Sequence, residues 1–173
     1  MGISAEKTKL MTNNTSSISA EIKRNGQKLE TVTSFKYLGS LVTDEGSKPE
    51  ILSRITQTAA ALTRFKQVWH ERTISLSSKI RMMRSPITSI FLYDCESWTL
   101  TAELQRRIQA MEMRCYRKKQ RISYKDHVTN EEVRAKIQQA IGPYEDLVAI
   151  VKRRKLQLYG HVSRSSGLAK KPS

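Results

Sequence analysis

No apolar run in this 173-residue sequence approaches the roughly 18 residues needed to cross a bilayer, so a membrane-spanning helix is excluded. The opening residues MGISAEKTK hold no apolar leader core. Glu6 also stands where a myristoylation motif wants Ser or Thr. Cysteine is scarce, with two residues far apart, which rules out a secreted disulfide scaffold and empties the Asn13 and Asn14 glycosylation matches of meaning. Acid is scarce as well. Sixteen Asp and Glu face 31 Lys and Arg, for a net charge of +15, and residues 101–173 alone hold 17 cations against 7 acids. An intracellular protein of nucleus or cytoplasm is expected. Its default partner is a polyanion, with nucleic acid ahead of an acidic membrane surface and no small-molecule substrate indicated. Apolar residues, at 38%, fall below the usual globular share but suffice for a modest core.

The first third reads as extended structure. Alternation in SISAEIKRNGQKLETVT surrounds Asn25-Gly26, the dipeptide most favoured in two-residue hairpins, and a second β-type run follows at FKYLGSLVT (35–43) before the turn DEGS. Ser47 and Glu50 have capping-box spacing, with Pro49 near the first helical position. Ile51, Ile55, Leu62, Phe65 and Trp69 then form a helical stripe. A helix from Ser75 is expected to be interrupted at Pro86, which costs about 3 kcal/mol inside a straight helix. Another begins near Thr101 with Leu104, Ile108, Met111 and Cys115 on one face, until RKKQR (117–121) breaks the apolar pattern. Thr129 and Glu132 form a capping-box pair before Val133, Ile137 and Ile141, stopped by Gly142-Pro143. A last helix carries Leu147, Val151 and Leu158, is expected to end at Gly160, and leads to a polar, disordered tail. The expected fold class is α+β: a short antiparallel hairpin region followed by helices.

Chemistry is thinly marked. Cys95, Cys115, His127 and His161 are separated by 19, 11 and 33 residues, so no close ligand pair favours zinc over buried thiols and ordinary histidines. Asp94, Glu96 and Asp126 show no paired-carboxylate motif for metal-dependent phosphoryl transfer. Asp126-His127 could be a base and its orienter, but a solvated loop pair is commoner, and GPYED (142–146) lacks a phosphate loop's Gly-Lys. The basic clusters say more. RRIQAMEMRCYRKKQR (106–121) and VKRRK (151–155), with Tyr116, Tyr124 and Tyr159 nearby, suit phosphate affinity and base stacking, against the alternative of a solvated cationic face with core tyrosines.

The strings ISAEKTKLM (3–11), FKYLGSLVTDEG (35–46), EILSRITQTAAALTRFKQVW (50–69), ISLSSKIRMMRS (74–85), FLYDCESWTLTAELQRRIQAMEMRCYRK (91–118), ISYKDHVTNEEV (122–133) and RRKLQLYGHVSR (153–164) occur in this order. Together they resemble the reverse transcriptase of non-LTR (LINE-like) retrotransposons, over almost the whole chain. The resemblance implies a late palm motif and primer-grip strand in residues 1–46, a thumb-like helical region in 47–121, a C-terminal helical extension in 122–164 and a tail in 165–173.

By the same resemblance, Lys7 matches a palm lysine, and Phe35, Tyr37, Leu38 and Gly39 match the primer grip. Simple strand core is an equal reading for Phe35 and Leu38. Arg54, Arg64, Lys66, Arg117, Lys118, Lys152, Arg153, Arg154 and Lys155 are the expected phosphate contacts. The family's catalytic aspartates, a palm-strand residue and a Tyr-x-Asp-Asp pair, have no counterpart in these 173 residues. The expectation is therefore a truncated, non-catalytic portion of an RNA-directed DNA polymerase, with no catalytic residue, no metal site and no cofactor. The full-length family uses magnesium and often carries an endonuclease. Pro86, Asp94 and Lys119-Gln120 depart from the family by placing costly groups where aliphatic or small residues are usual, and Met1 falls inside a family motif, which suggests decay. A recruited nucleic-acid-binding protein and an inert translated relic stay open beside that reading.

Overall fold

The computed structural model describes residues 8–11, 22–24 and 26–167, and divides into two compact units, Met1–Glu50 and Ile51–Ser173. The fold is α+β, with strands in the first unit and helices in the second.

In the first unit, β1 (Lys9–Leu10) pairs in parallel with β4 (Glu30–Thr31), and β2 (Lys23–Arg24) pairs antiparallel with β3 (Gln27–Lys28). Arg24 pairs with Gln27, and Gly26 has φ +78°. Asn25 itself lies outside the described residues, as do most of ISAEKTKLM and Lys7. The run expected as one strand at 35–43 is instead folded in two. β5 (Ser34–Tyr37) and β6 (Ser40–Thr43) pair antiparallel, with Phe35 opposite Val42 and Tyr37 opposite Ser40. Leu38 (φ +48°) and Gly39 (φ +90°) form the turn, since a tight hairpin needs positive φ at both central positions. A leucine there carries steric strain of about 1–2 kcal/mol, which is why composition gave no warning of the reversal. Glu50, buried at the start of α1 (Lys48–Arg64), accepts the Leu41 N–H at 2.9 Å and so reaches back to β6.

In the second unit α1 stops at Phe65, and α2 (Lys66–His70) begins a new axis whose Trp69 indole donates to the Leu62 carbonyl at 2.8 Å. α3 (Leu76–Pro86) starts at Ser75, whose hydroxyl accepts the Ser78 N–H. The expected interruption at Pro86 takes a gentler form. Pro86 keeps helical angles (φ −65°, ψ −28°), and Ile87–Phe91 continues as a π-helical turn closed by the Leu92 N–H on the Ile87 carbonyl at 3.1 Å. Thr88 and Ser89 hydroxyls donate to the Arg84 and Ser85 carbonyls at 2.9 and 3.0 Å, hydrogen-bonding within a wound segment that a proline would otherwise break.

α4 (Ala102–Gln120) is capped by Thr101 and runs through most of the basic cluster to Arg121, which ends it with φ +57°. The cluster interrupts an apolar pattern without ending a helix, because Lys and Arg are good helix formers. α5 (Asn130–Ile141) has the expected Thr129–Glu132 capping box and stops at Gly142. α6 (Leu147–Gly167) passes straight through Gly160, correcting the expected end there; an interior glycine costs only about 1 kcal/mol. Residues 168–173 lie outside the described residues. α3, α4 and α5 pack on one another and α6 packs on α4, around Ile80, Met83, Phe91, Trp98, Ile108, Val133, Ile137 and Val151. Phe91 meets Trp98 edge-on at 5.3 Å.

Candidate functional site

The four residues expected to match a primer grip, Phe35, Tyr37, Leu38 and Gly39, stand at the β5–β6 hairpin. Phe35 is half-buried, whereas Tyr37 and Leu38 at the tip are 61% and 76% exposed. The strand-core alternative therefore suits Phe35 and fails for Leu38.

The cations of the second unit separate into two groups. Several hold the fold together. Arg54, expected to touch phosphate, is 7% exposed, lies 4.7 Å over the Tyr93 ring and donates to the Ile90 carbonyl at 3.5 Å. Arg154 donates to the Leu92 carbonyl at 3.0 Å and lies 3.6 Å from the Glu96 carboxylate, while the Lys155 ammonium donates to the Trp98 carbonyl. Those two side chains fasten α6 to the irregular stretch after the π turn, whose carbonyls no helix ladder satisfies. Arg121 caps the His70 carbonyl at 2.9 Å, and Lys79 donates to the Glu71 carbonyl. Arg54, Arg154 and Lys155, three of the expected phosphate contacts, thus make ties within the fold.

The second group faces solvent. Arg64, Lys66, Lys118, Lys152 and Arg153 are exposed. Arg117 is half-buried and donates to Asn130 at 2.9 Å, and Arg153 pairs with Glu145 at 2.9 Å. That pairing raises the Arg153 pKa further, and at a solvent-facing site it competes weakly with a phosphate. Further along α6, Arg164 is a cation that the cluster count missed. Tyr159, His161 and Arg164 are all exposed, and from Leu147 to Ser173 there are seven Lys and Arg and no Asp or Glu. That one-signed stretch was readable from the sequence. Of the tyrosines expected near the clusters, Tyr116 is buried core and Tyr159 is open for stacking.

Two ionisable groups are buried at cost. Lys119, 5% exposed, holds its ammonium 3.2 Å from the centre of the Trp69 ring, and burial pulls its pKa down to about 7. Glu112, 1% exposed, accepts the Leu147 N–H at 3.3 Å, and burial pushes its carboxyl up to about 7. The positions expected to carry costly groups are mixed. Asp94 is exposed in a left-handed turn and accepts the Ser97 hydroxyl at 3.1 Å, so it is not a buried burden. Lys119 is.

Cys95 is buried, with its thiol pushed up to about 11 by burial, and Cys115 is half-buried. His127 and His161 are exposed, and among the described residues no three His, Cys, Asp or Glu come together to hold a metal. Asp126 accepts the Ser123 N–H at 2.6 Å as a helix cap, a role that competes with serving His127. No protein-family profile, curated protein or solved structure matches the chain.

Proposed function

We propose that this chain is a non-catalytic portion of a non-LTR retrotransposon reverse transcriptase that binds nucleic acid through the phosphate backbone. The observation that carries the binding is α6. Its chain from Leu147 onward has no acid, and Lys152, Arg153, Tyr159 and Arg164 are exposed on it. Such a one-signed helix attracts a polyanion without reading sequence. The polymerase kinship rests on the ordered strings from EKTK to LQLYGHVSR. With no paired aspartates in these residues, the chain's own role is binding rather than phosphoryl transfer. Fluorescence anisotropy on unrelated single strands and duplexes tests it. Affinities should be alike across sequences and weaken steeply with salt. Tight binding to one sequence that survives high salt would favour the second reading, a recruited sequence-specific regulator. The well-formed caps at Ser75, Thr101 and Thr129 are compatible with both readings.

A further inference from the structure

A cleft of about 280 Å³ opens in the second unit beside the π turn, walled by Arg84, Thr88, Leu92, Tyr116, Tyr144 and Glu145 among others. Wide turns of this kind recur where a fold makes room for a ligand. The Arg84 guanidinium lies over the Tyr144 ring, 5.4 Å from its centre. Tyr116 meets Tyr144 edge-on at 5.8 Å and 72°, which holds the Tyr144 ring in place. The Tyr144 hydroxyl is buried and has no hydrogen-bond partner in the chain, an exception that calls for one from outside. Glu145, on the same wall, is held by Arg153 at 2.9 Å, which sets that α6 cation beside the cleft.

We propose that this cleft takes one unstacked base of a single-stranded nucleic acid whose neighbouring phosphates lie over Arg153 and Lys152. The proposal rests on the backbone-binding reading above and adds a base site to it. The volume is at the small end for ligand pockets, suited to one ring system rather than a whole nucleotide. Guanidinium planes and aromatic faces stack bases of any identity, and the Tyr144 hydroxyl can donate to a base carbonyl. Paired bases in a duplex are closed to such a cleft unless they are first unstacked.

The test uses the full chain and two labelled strands of equal length and charge, oligo(dT) and an abasic strand. At one salt concentration oligo(dT) should bind about five- to tenfold more tightly, with the two salt slopes equal. Tyr144→Leu and Arg84→Met should each bring oligo(dT) down to the abasic level, while Tyr144→Phe, which keeps the ring, retains most of the preference. A 2-aminopurine placed in the strand should lose fluorescence on binding the unaltered chain, a readout that stands even if Tyr144→Leu fails to fold. Equal affinity of the unaltered chain for both strands would overturn the base site and leave backbone binding intact. Binding of neither strand would overturn both.

Discussion

Lys119 and Glu112 make opposite demands on pH. Glu112 keeps its proton to about pH 7 in the folded chain and loses it near 4.3 when unfolded. Between those values the folded state binds more protons, so this group's contribution falls as pH rises from about 4.5 to 7. Lys119 behaves the other way. Folded, it gives up its proton near 7; unfolded, it keeps it to about 10.4, so its contribution rises with pH above 7. The thiols Cys95 and Cys115, both raised by burial, oppose that rise above about pH 8.5. Glu112 is faced by Tyr116, Tyr144, Arg134 and Asp146, and Lys119 by Cys115, Lys118, Lys79 and Trp69. Stability against denaturant should therefore pass through a minimum near neutrality. Glu112→Gln should flatten its acid side and Lys119→Met its side between about pH 7 and 8.5. Lys119→Met should also stabilise the fold at neutral pH by about 1–2 kcal/mol, since the lost contact with Trp69 is smaller than the desolvation removed. A loss of stability in urea titrations of that variant would mean that the ammonium over the indole outweighs its burial.

Helix boundaries show where local sequence rules hold and where packing overrides them. Thr101, Thr129 and Ser75 start helices as their side chains dictate, because a hydroxyl accepting a first-turn N–H is a local event. Ends were less legible. Gly160 does not stop α6 and RKKQR does not stop α4, since neither glycine nor a run of cations forbids helical angles. The split of 35–43 into a hairpin was hidden by a leucine in a position that usually takes glycine or asparagine. Pro86 announced a break, but the chain absorbs it in a π turn that its neighbouring hydroxyls hydrogen-bond. Pro86→Leu should therefore recover well under the cost of an interior proline. A shift below about 1 kcal/mol, or roughly 2–4 °C in Tm, is expected in thermal unfolding followed by circular dichroism. A gain near 3 kcal/mol would mean that the π turn is a strained response to proline rather than a stable element.

Across the whole molecule, charge was legible as an amount but not as a distribution of tasks. Composition gave +15, and only the packing separates cations that cap carbonyls, such as Arg54, Arg121, Arg154 and Lys155, from those facing solvent. Side chains far apart in sequence meet there, 62 residues apart for Arg154 and Leu92, which no local pattern encodes. Purified chain supplied with magnesium and a template-primer should give no nucleotide incorporation, because these residues hold no paired aspartates. Robust extension free of contaminating polymerase would contradict that.

The most direct test of the central claim compares two double variants within one basic cluster. Lys152→Ala/Arg153→Ala removes two exposed cations, whereas Arg154→Ala/Lys155→Ala removes two that fasten α6 to the 92–98 stretch. If the unaltered chain neutralises about five phosphates of a single strand, the logarithm of its affinity should fall against log salt with a slope near −3.5. The first variant should reduce that slope by about 1.4 with little change in Tm, and the second should lower Tm while leaving the slope of the folded fraction near its original value. Equal slopes in the unaltered chain and the Lys152/Arg153 variant would contradict the account, because the exposed face of α6 would then be solvated surface rather than a phosphate-binding one.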